Sequence, residues 1–148
     1  MAMTRVPLAQ LKSQLKEREE LRKLVNRCRT NLHERKVGPK HLRLQFHRLL
    51  EHLLNHFSQE EDHGYFLEIV DLAPHSGETL VEHFRQHQQM VEMVVALMNS
   101  LECGELRGDA WLQLSCGFEE FFYLFQGHES AETELLQNAY AGELGEHD

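Results

Sequence analysis

The 148-residue chain predicts an all-α fold, an antiparallel up-down four-helix bundle, on three observations. Apolar residues recur at steps of three and four in four long segments, the spacing of a helix that buries one face. Proline and glycine breaks fall between those segments rather than inside them. No alternating apolar–polar run marks a strand, and no internal repeat or low-complexity stretch interrupts the pattern.

The segments span roughly 8–35, 40–63, 77–102 and 109–140. Pro7 precedes the first, whose stripe is Leu8, Leu11, Leu15, Leu21, Val25, Cys28 and Leu32. Gly38-Pro39 separates it from the second, and Pro39 suits a first helical turn because its missing N–H would be unpaired there anyway. The second stripe is Leu42, Phe46, Leu49, Leu53, His56, Phe57 and Glu60. Pro74 lies in the connection DLAPHSGE, where Ser76 is a candidate N-cap for the third segment. That segment carries Leu80, His83, Phe84, His87, Met90, Val91, Val94, Leu97 and Met98. Gly104 and Gly108 mark the last break, with Asp109 the candidate cap of the fourth. Its stripe is Phe118, Phe121, Leu124, Phe125, His128, Glu132, Leu135 and Leu136. Short connections between long helices favour antiparallel neighbours, so the expectation is a single domain over 1–148, with its bundle at about 8–140 and a loosely held acidic tail at 141–148.

Charge and composition narrow the function. A formal net charge of −9 argues against a nucleic-acid partner. No apolar run approaches the ~20 residues that a membrane-spanning helix needs. The opening MAMTRVPLAQLK has no apolar core of a signal peptide. Cys28, Cys103 and Cys116 are odd in number and form no C-x-x-C, which points to reduced packing residues and to a cytoplasmic protein.

Three histidines each have a second ligand-type side chain four residues on: His56 with Glu60, His83 with His87, and His128 with Glu132. A four-residue step places both side chains on one helix face. All three pairs fall on apolar stripes, where polar groups are costly unless something satisfies them. They also fall near one height. Reflection through the connection centred near Ile69 carries His56 onto Glu82, beside His83. Reflection through the break near Leu106 carries His128 onto Phe84, between His83 and His87. Neutral imidazole binds iron, zinc, copper or nickel, and carboxylates bridge or cap hard cations. Six groups exceed the tetrahedral set of a structural zinc site, so the pattern favours two metals or one of high coordination. His83 is either a ligand or an outer partner that orients His87.

At these residues the chain resembles the hemerythrin-like (HHE cation-binding) domains of bacteria, through LLNHFSQEEDHGYF, VEHFRQH and GHESAETELLQNAY. The resemblance runs from about Leu8 to Tyr140. It implies an antiparallel bundle holding two non-haem iron ions, or one, and roles in binding or sensing O2 or NO or in handling iron. The chain departs from that family on its first helix, where a histidine is usual. Reflection of His56 through the turn near Val37 points to Arg18. Either Glu17 or Glu20 is then the substitute ligand or the site loses one, with Arg18 turned away or paired with a carboxylate. The last motif, H-x-x-x-E, also differs from the histidine with an aspartate five residues on in oxygen carriers, which favours a sensor or repair-like role.

Phe57, Phe84, Phe121 and Phe125 read as core that would exclude water from a metal, and Tyr65 and Tyr123 as outer hydrogen-bond donors. Glu61, Asp62 and Glu129 read as solvated or outer groups. Two other readings stand beside the metal-binding protein. One is a di-iron oxidoreductase acting on peroxide or nitric oxide, and the other is a degenerate bundle that serves as an interaction module.

Overall fold

The computed structural model describes residues 8–62, 77–102 and 106–145. Its four helices are α1 (Leu8–His33), α2 (Pro39–Asp62), α3 (Gly77–Ser100) and α4 (Asp109–Gly145). Each packs on the next in sequence, and α4 returns to α1 and closes the ring. This is the expected all-α four-helix bundle, with no strand among the described residues.

The helix ends follow local chemistry. Lys36 N–H bonds back to the Asn31 carbonyl at 3.2 Å, and Arg35 between them has φ 51°, the left-handed residue of a Schellman cap. The Arg35 guanidinium lies 5.2 Å from the Trp111 ring centroid, a contact that glycine, the usual occupant of such a position, would forfeit. Leu42 N–H donates to the Gly38 carbonyl at 3.0 Å, which places Pro39 in the first turn. Asp109 opens α4 as a first-turn acid favoured by the helix dipole, and Gly108 before it has φ 42°. Ser76 and the end of the second connection lie outside the described residues. α4 runs five residues past the expected 140, to Gly145. The added stretch contains no proline, and Gly142 weakens a helix without breaking its hydrogen-bond ladder.

The buried positions of all four helices keep one alternation of steps of three and four, the seam of a coiled-coil-like bundle. In α2 it reads Leu42, Phe46, Leu49, Leu53, His56, Glu60, and in α4 Leu114, Phe118, Phe121, Phe125, His128, Glu132, Leu135. In α3 it reads Leu80, His83, His87, Met90, Val94, Leu97, Leu101. In α1, Leu32, Cys28, Val25 and Leu21 lead back to Arg18 and Gln14. The apolar end is filled by interlocked rings, with Phe46 stacked on Phe118 at 5.7 Å. Gly117 lets α3 and α4 close together there, since a Cβ would come 3.1 Å from Leu97. One apolar expectation fails. Leu15 is 44% exposed, whereas its neighbour Gln14 is 3% exposed, because the seam spacing carried back from Leu21 lands on 18 and 14, not on 15. No described helix is long and apolar enough to cross a membrane.

Candidate metal centre

Every helix brings two successive seam positions to one end of the bundle, and all eight are polar. They are Gln14 and Arg18 on α1, His56 and Glu60 on α2, His83 and His87 on α3, and His128 and Glu132 on α4. Leu80, Leu135 and Leu136 lie buried at the outer turns, and Leu53, Met90 and Phe125 lie one turn inward. The polar layer therefore sits between apolar layers, where water cannot meet its hydrogen-bonding needs.

The six sequence-predicted histidines and glutamates come together as two triads, His83–His87–His128 and His56–Glu60–Glu132. Within each, one ligand-type atom per residue lies within 4.8 Å of the others, and all six residues are buried. These groups could hold a metal ion. The carboxylates join the triads. Glu60 Oε1 is 2.7 Å from His56 Nε2, and Glu60 Oε2 is 3.1 Å from His87 Nε2. Glu132 Oε2 is 3.4 Å from His83 Nε2 and 3.9 Å from His128 Nε2.

Of these contacts, that of His83 Nε2 with Glu132 Oε2 is a hydrogen bond, whereas those of Glu60 are not. Glu60 is 0% exposed, and neither oxygen accepts a hydrogen bond of acceptable direction. His128 Nε2 and His56 Nδ1 are also buried without a hydrogen-bond partner. A buried polar group left this way costs on the order of 1–3 kcal/mol, more if charged. Glu60 oxygens that lie close to imidazole nitrogens without a directed bond to them are placed to share a cation with them, so the donor set fits a metal.

Electrostatics point the same way. Burial and then the neighbouring Glu60 carboxylate push Glu132 above the usual carboxylate range, despite His83 and Arg18 nearby. Burial and then the neighbouring His83 hold His87 down to about 4. Burial, with His83 and His87, holds His128 down to about 2. Burial also opposes protonation of His56, but Glu60 and Glu132 outweigh it and raise the ring above its ordinary value. The His83 and His128 rings stack 3.6 Å apart, an arrangement suited to neutral imidazoles, the form that binds metal. Phe57 lies flat on His87 with ring centroids 3.9 Å apart, and Phe84 meets the same ring edge-on at 5.9 Å.

Gln86 is a functional residue that the sequence reading missed. His128 Nδ1–H donates to its side-chain oxygen at 2.8 Å. That bond fixes the ring and leaves the Nε2 lone pair facing the triad. Gln86 sits one residue off the α3 seam, so stripe periodicity does not select it. Glu61 stands 3.7 Å from His87 Nδ1 on the outer side, in the supporting position expected of it.

α1 contributes no ligand to either triad. Glu17 is partly exposed, and its Oε1 accepts from Gln59 Nε2 at 3.3 Å. It lies one residue off the seam, on the α2 side, and joins neither triad. Glu20 is exposed. Arg18 holds the seam position and pairs with carboxylates, its Nε 3.9 Å from both Glu129 Oε1 and Glu132 Oε1. Gln14 was also missed, and neither atom of its buried amide has a hydrogen-bond partner. Tyr123 is 71% exposed and so is no hydrogen-bond donor to the centre. Tyr65 and His63 lie outside the described residues. No protein-family model matches the chain, and no curated protein or solved structure is significantly similar to it.

Proposed function

We propose that this bundle binds non-haem iron in the buried His/Glu centre and uses it to bind or sense a diatomic gas, O2 or NO, as the hemerythrin-like resemblance suggests. The observation that carries the reading is Glu60. A carboxylate sealed from water, set between His56 and His87 and bonded in a directed way to neither, calls for a cation. Mixed imidazole and carboxylate donors are a set that iron accepts readily. Glu60 and Glu132 of one triad also approach histidines of the other, so a bound ion would draw on both sets.

When bound, iron supplies a redox-active centre with room for a small exogenous ligand. The chain's own residues do the rest. Gln86 keeps the His128 Nε2 lone pair directed inward. Phe57 and Phe84 shield His87 from water. A cleft of 820 Å³ between α2 and α3, lined by Phe57 and Val91 and by the charged Glu61, Arg85 and Glu92, reaches His87.

Anaerobic loading with Fe²⁺, desalting and elemental analysis test the metal. Iron should be retained, and a chelator should lower the melting temperature, since a ligand at a hundredfold excess over Kd adds about 2.7 kcal/mol to stability. A chain that retains no iron would sink the proposal. Visible spectra after exposure to air or NO test the gas, and an unchanged spectrum under both would leave an iron-binding protein without a gas ligand.

A further inference from the structure

We infer that the centre takes a single divalent ion, held by His83, His87 and His128 with the two carboxylates, and that the Arg18 guanidinium stands in for the charge of a second. The inference rests on the metal-binding reading above and settles its stoichiometry.

The donors are unevenly divided. The all-histidine triad has three nitrogens, and both carboxylates already reach it, Glu60 Oε2 at 3.1 Å from His87 Nε2 and Glu132 Oε2 at 3.4 Å from His83 Nε2. The other triad adds only the imidazole of His56, because Glu60 and Glu132 are the same two carboxylates.

The side of that second triad facing α1 is already held by a cation. Arg18 Nη2 donates to the Glu129 carbonyl at 3.1 Å and to Thr133 Oγ1 at 2.8 Å, which fixes the guanidinium on the α4 flank. Its Nε then lies 3.9 Å from Glu132 Oε1. Glu132 is thus divided, with Oε2 towards the histidines and Oε1 towards Arg18. An ion bound to Oε1 at the usual ~2.1 Å would lie within about 6 Å of Nε, two cations facing each other out of water.

The test is iron stoichiometry of the full chain after anaerobic Fe²⁺ loading, with circular dichroism to confirm folding. Wild type should retain one iron per chain, while Arg18→Gln and Arg18→His should take a second. His128→Ala should weaken iron binding by about tenfold or more. Two irons in wild type would overturn the inference while leaving the function intact. So would Arg18 variants that fold and still stop at one. No iron in wild type would instead overturn the functional reading beneath it.

Discussion

Two trios of Arg, Glu and His lie towards opposite ends of this bundle, and they behave differently. At one end Glu119 of α4 takes Arg29 in a fork, at 2.6 and 3.1 Å, and His33 at 2.5 Å. At the other, Glu132 of the same helix faces Arg18 at 3.9 Å and His83 at 3.4 Å. The first trio lies at the water edge and closes on itself with short, directed bonds. The second is buried, where weak bonds cost most, yet it is the looser one, with one long hydrogen bond between His83 and Glu132 and an ion pair at 3.9 Å. Burial alone would favour the opposite outcome. Side chains that stay open inside a core are positioned for something other than each other, and this separates a binding site from a structural ion pair.

The comparison breaks most sharply at Glu60. In metal-free protein, Glu60→Met together with His56→Leu should stabilise the fold by roughly 1–4 kcal/mol, the range seen when apolar residues of similar volume replace both members of a buried ion pair. Iron binding should fall at the same time. Chemical denaturation of the apo proteins measures this, and a variant less stable than wild type would mean that Glu60 is already satisfied within the bundle.

A second test separates the support of a ligand from the ligand itself. Gln86→Leu removes the acceptor of the His128 Nδ1–H but touches neither triad. Iron affinity should drop about 10- to 100-fold, the usual cost of losing an outer orienting group. The helical content should be unchanged. Competition with a coloured chelator gives the number, and unaltered affinity would show that packing alone orients His128.

The smallest effect belongs to the water-edge trio. Glu119→Gln should cost at most about 1 kcal/mol, as an exposed ion pair does, and leave iron content unchanged. The Arg29 hydrogen bond, chiefly, holds the Glu119 carboxyl below its ordinary 4.5 in the folded chain. A carboxyl depressed on folding contributes fully above the unfolded value, and its contribution fades as pH falls through the folded one. Wild type and Glu119→Gln should therefore differ in stability at neutral pH and converge below about pH 4.5. A gap that persists once Glu119 is protonated in the folded chain would assign the difference to packing, including the Arg29 stack 4.1 Å over Phe122, rather than to charge.

Much of the site was legible because it is periodic. His56, Glu60, His83, His87, His128 and Glu132 all lie on the three-and-four seam, and reflection through the connections placed them at one height. Arg18 was legible by the same reflection. Gln14 was within reach too, since counting back by three and then four from Leu21 gives 18 and 14. The apolar Leu15 drew the stripe off by one residue.

What the sequence determined by itself was the four helices, the turns at Gly38-Pro39 and Gly108, and the ring of ligand-type side chains at one level. Those are consequences of spacing along a helix, which the chain carries locally. Three matters were decided only in the tertiary structure. The six residues divide into two triads, and both carboxylates of one approach histidines of the other. Gln86, off the seam, reaches across to His128. Arg18, given the choice of turning away or pairing, pairs with Glu129 and Glu132. Each depends on which lone pair faces which atom across a helix–helix gap. That is set by side-chain torsions and by the distance between helices, and periodicity describes neither.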